Sequence, residues 1–285
     1  MKIALFGIAT ANHVLNSSQI SRKLLGSWSE FLFQNVANVR QKREGDESSR
    51  GFRELAGMML FLQGAASNDE EGLQELEDLY TNYGCYCWIN GPDEGVIGGG
   101  KPKDMVDHHC KELYRCYKCV LNDYEANYTD VHYNVELNEE DGIRSLDCKV
   151  NSKQDAENLC ECDKRFAMNI ARAKQDCLNA KPESHLFGDH CMDPTFRTVS
   201  GGGEFEPNLQ CDKQFHGHEK DHCCGIYPNR YPYDINFNEC CRSQVMTDSL
   251  TQVELFTVVP VGMCEPRGGE TVISEKGNPH NYLSV

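Results

Sequence analysis

Apolar positions recur at helical spacing in three stretches of the chain. Phe52, Leu55, Met58 and Met59 form a short stripe that predicts an amphipathic helix. Val106, Cys110, Leu113, Tyr117 and Val120, spaced alternately by four and three, predict a long helix from Asp104 to about Asn122. Leu159, Cys162, Phe166, Asn169, Ala173 and Cys177 repeat the pattern, so two cysteine-bearing helices are expected to pack face to face and to be stapled across their seam. Between them, 122–147 is polar and aromatic. Tyr80 to Cys87 reads as a loop. After Cys177 the pattern breaks: Pro182, Gly188, Pro194 and Gly201 to Gly203 mark irregular chain and place a boundary near 190–205.

The sixteen cysteines all lie at or beyond Cys85, which points to a disulfide framework made in an oxidising compartment, hence to secretion. A zinc protein would show repeated close cysteine pairs, and only Cys116 with Cys119 has that look. No run of about 18 apolar residues is present, so no transmembrane segment is expected. Residues 1–43 carry six basic side chains against one acidic, so the rest of the chain is even more acidic than the total of −16 implies. Such a body disfavours nucleic acid and anionic membrane, and favours cations, mineral surfaces or basic proteins. The start, Met1 to Ala11, half-fits a signal peptide, and Arg40-Gln41-Lys42-Arg43 has the form of a processing site, so 1–43 reads as a signal or propeptide segment. Asn127-Tyr128-Thr129 is an N-glycosylation acceptor, expected on the surface of a glycoprotein.

Tyr83-Gly84-Cys85-Tyr86-Cys87, then Gly100, Pro102, Asp104 and Asp107 before Cys116-Tyr117, then Cys160-Glu161-Cys162-Asp163, resembles secreted phospholipase A2 in order and spacing. The resemblance implies a mainly α, disulfide-rich fold with an N-terminal helix, a calcium loop and two antiparallel helices. It supports a phospholipase A2-like domain at 52–190; the cysteine spacing and polar composition beyond it predict a small irregular cysteine-rich module at 205–267 and a loose tail at 268–285. The family's helix motif carries a catalytic His and a calcium-binding Asp; anchored at Asp107 and at Cys116-Tyr117, those positions here are Leu113 and Tyr114. Hydrolysis needs a general base and a cation for the oxyanion, and neither replacement supplies them. Asp163 and Tyr117 match the family's orienting Asp and one of its network tyrosines, left with no histidine to hold. His109, one turn before Leu113, is the only candidate for a displaced base.

The resemblance further implies bridges Cys87 to Cys110, Cys116 to Cys162 and Cys148 to Cys160. It puts His109 and Asn169 at the two ends of a family bridge that this chain lacks, so their side chains should face each other. Cys85, Cys119, Cys177 and Cys191 remain unassigned. Farther on, Cys211, Cys223-Cys224, Cys240-Cys241 and Cys264 suffice for a self-contained three-bridge module, similar to cysteine-rich modules of extracellular matrix proteins. His216, His218, Glu219, Asp221 and His222 offer weak zinc or copper ligands, in competition with a polar turn beside a disulfide.

The expected function is a secreted, noncatalytic scaffold of the extracellular or mineral matrix. Its partners would be calcium, a mineral surface or an extracellular protein, with calcium gathered weakly by acidic residues such as Glu136, Glu140 and Asp141. A divergent calcium-dependent phospholipase A2 is the alternative. A third reading is a lipid or receptor binder without turnover, in which lipid enters an apolar slot lined by Leu113.

Overall fold

Four helices and eight strands follow one another in the computed structural model, which describes residues 50–80, 83–87, 101–128, 130–179, 191–192, 220–246 and 251–285. All belong to one unit, Ser48–Val285. Residues 1–43, with the Arg40 to Arg43 sequence, lie outside the described residues.

Helix α1 (Arg50–Leu62) buries Leu55, Met58 and Met59, and helix α2 (Glu70–Tyr80) buries Leu73, Leu76 and Tyr80 against the same core. Glu70 and Glu71 begin α2, where carboxylates favour the positive end of the helix dipole. Helix α3 (Met105–Tyr124) starts at Asp104, whose side chain accepts the Asp107 N–H at 2.8 Å. It ends at Glu125, in the left-handed region at φ 53°. Strands β1 (Glu136–Glu140) and β2 (Ile143–Asp147) form a hairpin that turns through Asp141 and Gly142, both at positive φ. Helix α4 (Gln154–Asn179) then returns along α3. The pairs Glu112–Arg165, Cys116–Cys162 and Tyr124–Asn158 advance on one helix as they retreat on the other, so the two helices are antiparallel. Bridges Cys87–Cys110 and Cys148–Cys160 tie the flanking chain to this pair, and Cys177–Cys191 closes the end of α4.

The C-terminal region corrects the expectation of an irregular module. Strands β3 (His222–Ile226) and β4 (Asn229–Tyr233) make one hairpin. Then β5 (Asn238–Met246), β6 (Gln252–Pro260), β7 (Glu270–Glu275) and β8 (Asn278–Ser284) form an antiparallel sheet of order β6-β5-β7-β8. The fold is therefore helical in its first half and strand-rich in its second. Residues 268–285, expected to be loose, supply β7 and β8. Their side chains are mostly polar, so order comes from the ladder itself and from Val272, buried with Cys224, Tyr233 and Cys240. Nor is the cysteine-rich region self-contained. Cys224–Cys240 and Cys241–Cys264 are internal, but Cys223 is joined to Cys119 on α3.

Beside that bridge, Arg230 of β4 is fully buried against Asp123 of α3, with Nε to Oδ2 at 2.6 Å. Tyr227 donates to the same carboxylate at 2.7 Å, and the Gly277 N–H donates to the Asp123 carbonyl at 2.8 Å. The β3–β4 hairpin also reaches the α3–α4 seam, where Arg165 donates to the Pro228 carbonyl at 3.1 Å. The strand-rich half is thus fastened to the helices by a covalent bond, a buried ion pair and a shared hydrogen-bond network.

Candidate functional site

Asp107, in the first turn of α3, is fully buried and accepts three backbone N–H groups: Cys85 at 3.0 Å, Tyr86 at 2.7 Å and Lys103 at 2.8 Å. This fastens the Tyr83–Cys87 turn to the helix that carries the site. One and a half turns later Leu113 is buried, and Tyr114 beside it is half-buried. One turn beyond Leu113, the Tyr117 hydroxyl donates to Oδ1 of Asp163, whose Oδ2 accepts from Tyr133 at 2.5 Å. Tyr128 stacks on Tyr117 with ring centroids 4.5 Å apart and so covers the pair. Tyr133 is the member that sequence reasoning missed. It lies in the aperiodic stretch between the helices, and no spacing connects it with α4.

Burial pushes the Asp163 carboxyl up to about 7, against the two tyrosine hydrogen bonds that favour its ionised form. Burial likewise raises both tyrosines, which therefore act as donors. The native state then holds a proton between about pH 4 and 7 that the unfolded chain has released. The stability this contributes is complete below about pH 4 and is lost as pH rises through 7. Asp163→Asn removes the ionisation. The variant's unfolding free energy relative to wild type is expected to rise by up to roughly 3 kcal/mol between pH 4.5 and 8, as followed by urea titration. A difference independent of pH would show that Asp163 titrates normally.

His109, Glu112, Leu113, Cys116, Cys162, Arg165, Phe166 and Asn169 line one cleft at the α3–α4 seam. The structure thus brings His109 and Asn169 to the same opening, with Leu113 at its wall. The cleft has room of about 10 Å³, which suits one water molecule and not an acyl chain. Glu112, nearly buried, is paired with Arg115 at 2.8 Å and faces Arg165 at 3.7 Å.

Among the described residues, the Leu113 and Tyr114 side chains do not supply the carboxylate through which the resemblance implies calcium binding. Calcium takes carboxylate and carbonyl oxygens, whereas Tyr114 offers a neutral phenol and both Asp163 oxygens are engaged by tyrosines. Among the described residues no group of three His, Cys, Asp or Glu side chains converges on a point. The segment 88–100, with Gly98 to Gly100, lies outside them, as do His216, His218 and Glu219. Of the weak metal candidates, Asp221 and His222 are described: His222 Nδ1 lies 2.8 Å from Asp221 Oδ1, and this contact lowers the Asp221 carboxyl. Asn127 is half-exposed in a turn where its carbonyl accepts the Asp130 N–H at 2.9 Å; Thr129 lies outside the described residues.

Comparison with known proteins converges on the same stretch of chain. A sequence model of the family described as phospholipase A2 matches residues 67–180. Over 102 residues the chain is 29% identical to basic phospholipase A2 nigroxin A of Micrurus nigrocinctus, covering 36% of this chain and 77% of the relative. It is 33% identical over 107 residues to basic phospholipase A2 homolog 2 of Bothrops brazili, covering 38% and 75% respectively. A longer match of 163 residues, at 29% identity, links it to a phospholipase A2 of Calliactis polypus, covering 56% of this chain and 87% of that one.

Proposed function

This chain belongs to the phospholipase A2 family, and from that membership we propose that it is a secreted, noncatalytic member that serves as a rigid acidic scaffold outside the cell. The observation that carries the reading is the Asp163 carboxylate. Both of its oxygens are held by tyrosine hydroxyls, and the side chain one turn before Tyr117 is the buried Leu113 rather than an imidazole. Attack on an ester needs a group that takes a proton from water, and leucine has none. It also needs charge to meet the developing oxyanion, which Tyr114 does not bring through a metal. The tyrosine–aspartate cluster serves instead to lock α3 to α4.

The scaffold role is supported by the surface. The β1–β2 hairpin presents Glu136, Glu140 and Asp141 to solvent, on a chain of net charge −16. A rigid acidic surface gathers divalent cations weakly and cooperatively, as a mineral or matrix contact requires. The seven bridges seen among the described residues suit an oxidising extracellular setting.

The test is phospholipid hydrolysis by the secreted protein on mixed micelles and vesicles, with calcium and with chelator. Fatty-acid release at background under both conditions is the expected result. Calcium-dependent release abolished by His109→Ala would overturn the proposal, and would identify the cleft histidine as a displaced base.

A further inference from the structure

Strand β6 is an open edge of the four-stranded sheet. In the order β6-β5-β7-β8 it pairs, among the described residues, with β5 alone, from Gln252 to Pro260. Every second residue of such a strand directs its N–H and C=O away from its neighbour, so β6 offers a half-ladder to another strand. β7 joins β5 only at Cys240, Cys241 and Arg242. Ser243 to Met246 and Gln252 to Leu255 therefore pair only with each other among the described residues, and they stand beyond the body of the sheet. Two strands by themselves are barely stable in water, and a third strand is what orders them.

The side chains point the same way. Val258, Cys240 and Val272 share a row that packs with Cys224 and Tyr233, so the alternate residues of β6 face outward. That outer face sets Val245 opposite Val253, with Leu255 two residues along, and the three are 41%, 43% and 46% exposed. The other edge of the sheet is built differently. β8 carries Pro279, which has no N–H, and its ladder with β7 shifts register at Ser274 and Glu275. From Gln252 to Val259, β6 has no proline, no lysine and no break in register.

We propose that β6 pairs antiparallel with β6 of a second copy of this chain, joining two four-stranded sheets into one of eight strands. The strand is complementary to itself. Around a two-fold axis at Phe256, Val253 meets Val259, Glu254 meets Val258 and Leu255 meets Thr257. Glu254 is the only charge on β6, and this register sets it four residues from its symmetry mate. That is about 13 Å along the strand, beyond the Debye length of about 8 Å at physiological salt. Each copy also adds Val245, Val253 and Leu255 to the same outer face, so the pairing extends one apolar strip across both arms. Two chains of net charge −16 repel as wholes, so salt is expected to strengthen the dimer. The pairing does not depend on whether the chain hydrolyses lipid.

The experiment is sedimentation velocity of the full chain over a dilution series, paired with hydrogen exchange. Wild type is expected to reach twice the monomer mass, to stop there, and to dissociate on dilution. Backbone amides in 253–259 should gain protection with concentration, at alternate residues. Val253→Lys/Leu255→Lys is expected to weaken the dimer at least tenfold, although the added positive charge by itself would ease the repulsion. Leu283→Lys, on the exposed outer face of β8, should leave it unchanged. Hydrogen exchange on wild type decides the matter if the double variant fails to fold. A wild type that stays monomeric at its highest soluble concentration would overturn the proposal, even if it captured a strand of another protein. So would growth beyond two copies, weakening by salt, equal weakening by the β6 and β8 variants, or concentration-dependent protection that spares 253–259.

Discussion

Asp123→Ala is expected to lower stability by about 3–5 kcal/mol, because it strands a fully buried guanidinium. Every Arg230 nitrogen is engaged. Nε and Nη2 meet the two Asp123 oxygens at 2.6 and 2.9 Å, Nη2 also donates to Ser274 Oγ at 2.6 Å, and Nη1 donates to the Gly225 carbonyl at 2.6 Å and to Tyr282 at 2.8 Å. Among the described residues the carboxylate is the sole negative charge in that shell, and it also accepts from Tyr227. Its removal leaves a buried cation with only neutral partners and a tyrosine hydroxyl without its acceptor. Because Asp123 lies on α3 and Arg230 on β4, the loss should appear as one shifted cooperative transition rather than as early melting of the sheet alone. Urea unfolding followed by far-UV circular dichroism and by tyrosine fluorescence would show coincident curves at a lower midpoint. Glu125→Ala, which breaks the exposed contact with Lys276, provides the contrast and should leave the midpoint unchanged. A loss below about 1 kcal/mol for Asp123→Ala would mean that water reaches Arg230 and that the two halves are not joined through this pair.

That junction also marks where sequence stops being legible. The stripes of α3 and α4 are long and strongly periodic, so helix register sets Leu113 one turn before Tyr117, while the assignment of His109 and Asn169 to one seam comes from the resemblance to phospholipase A2. Helix α2 was missed although Leu73, Leu76 and Tyr80 keep helical spacing, because a stripe of eleven residues among many charges is too short to stand out, and it packs on α1. The sheet escaped for a related reason. β7 and β8 are mostly polar, and their order derives from strands around them, a non-local cause that no window of the sequence contains. Cys119–Cys223 spans 104 residues, and adjacent cysteines at 223 and 224 give no sign that one of them leaves the module. The Asp123–Arg230 pair depends on that bridge's geometry, so it is invisible until the bridge is known.

Gly84→Ala should be the most damaging substitution of a single small side chain near the site. Gly84 has φ of +60°, and a Cβ there would fall 2.4 Å from Asp107 Cγ and 2.5 Å from its Oδ1. Neither side has room to yield. The turn is closed by reciprocal hydrogen bonds between Tyr83 and Cys87, and Asp107 is held by three N–H groups from two segments. Cys87 is in addition bonded covalently to Cys110, one turn along α3 from Asp107, so the turn cannot slide along the helix. Alanine must therefore break buried charge-assisted hydrogen bonds as well as adopt the left-handed region, a combined cost of at least about 3 kcal/mol. Gly142→Ala isolates the backbone part, since Gly142 has φ of +79° and nothing within 4 Å of its would-be Cβ; its cost should be near 1 kcal/mol. Equal losses in the two variants would show that Asp107 moves aside freely and that the turn is not clamped to α3. A large excess for Gly84→Ala would instead establish the clamp as the feature that fixes the first turn of α3, and with it the register that carries Leu113 and Tyr117 to the tyrosine–aspartate lock.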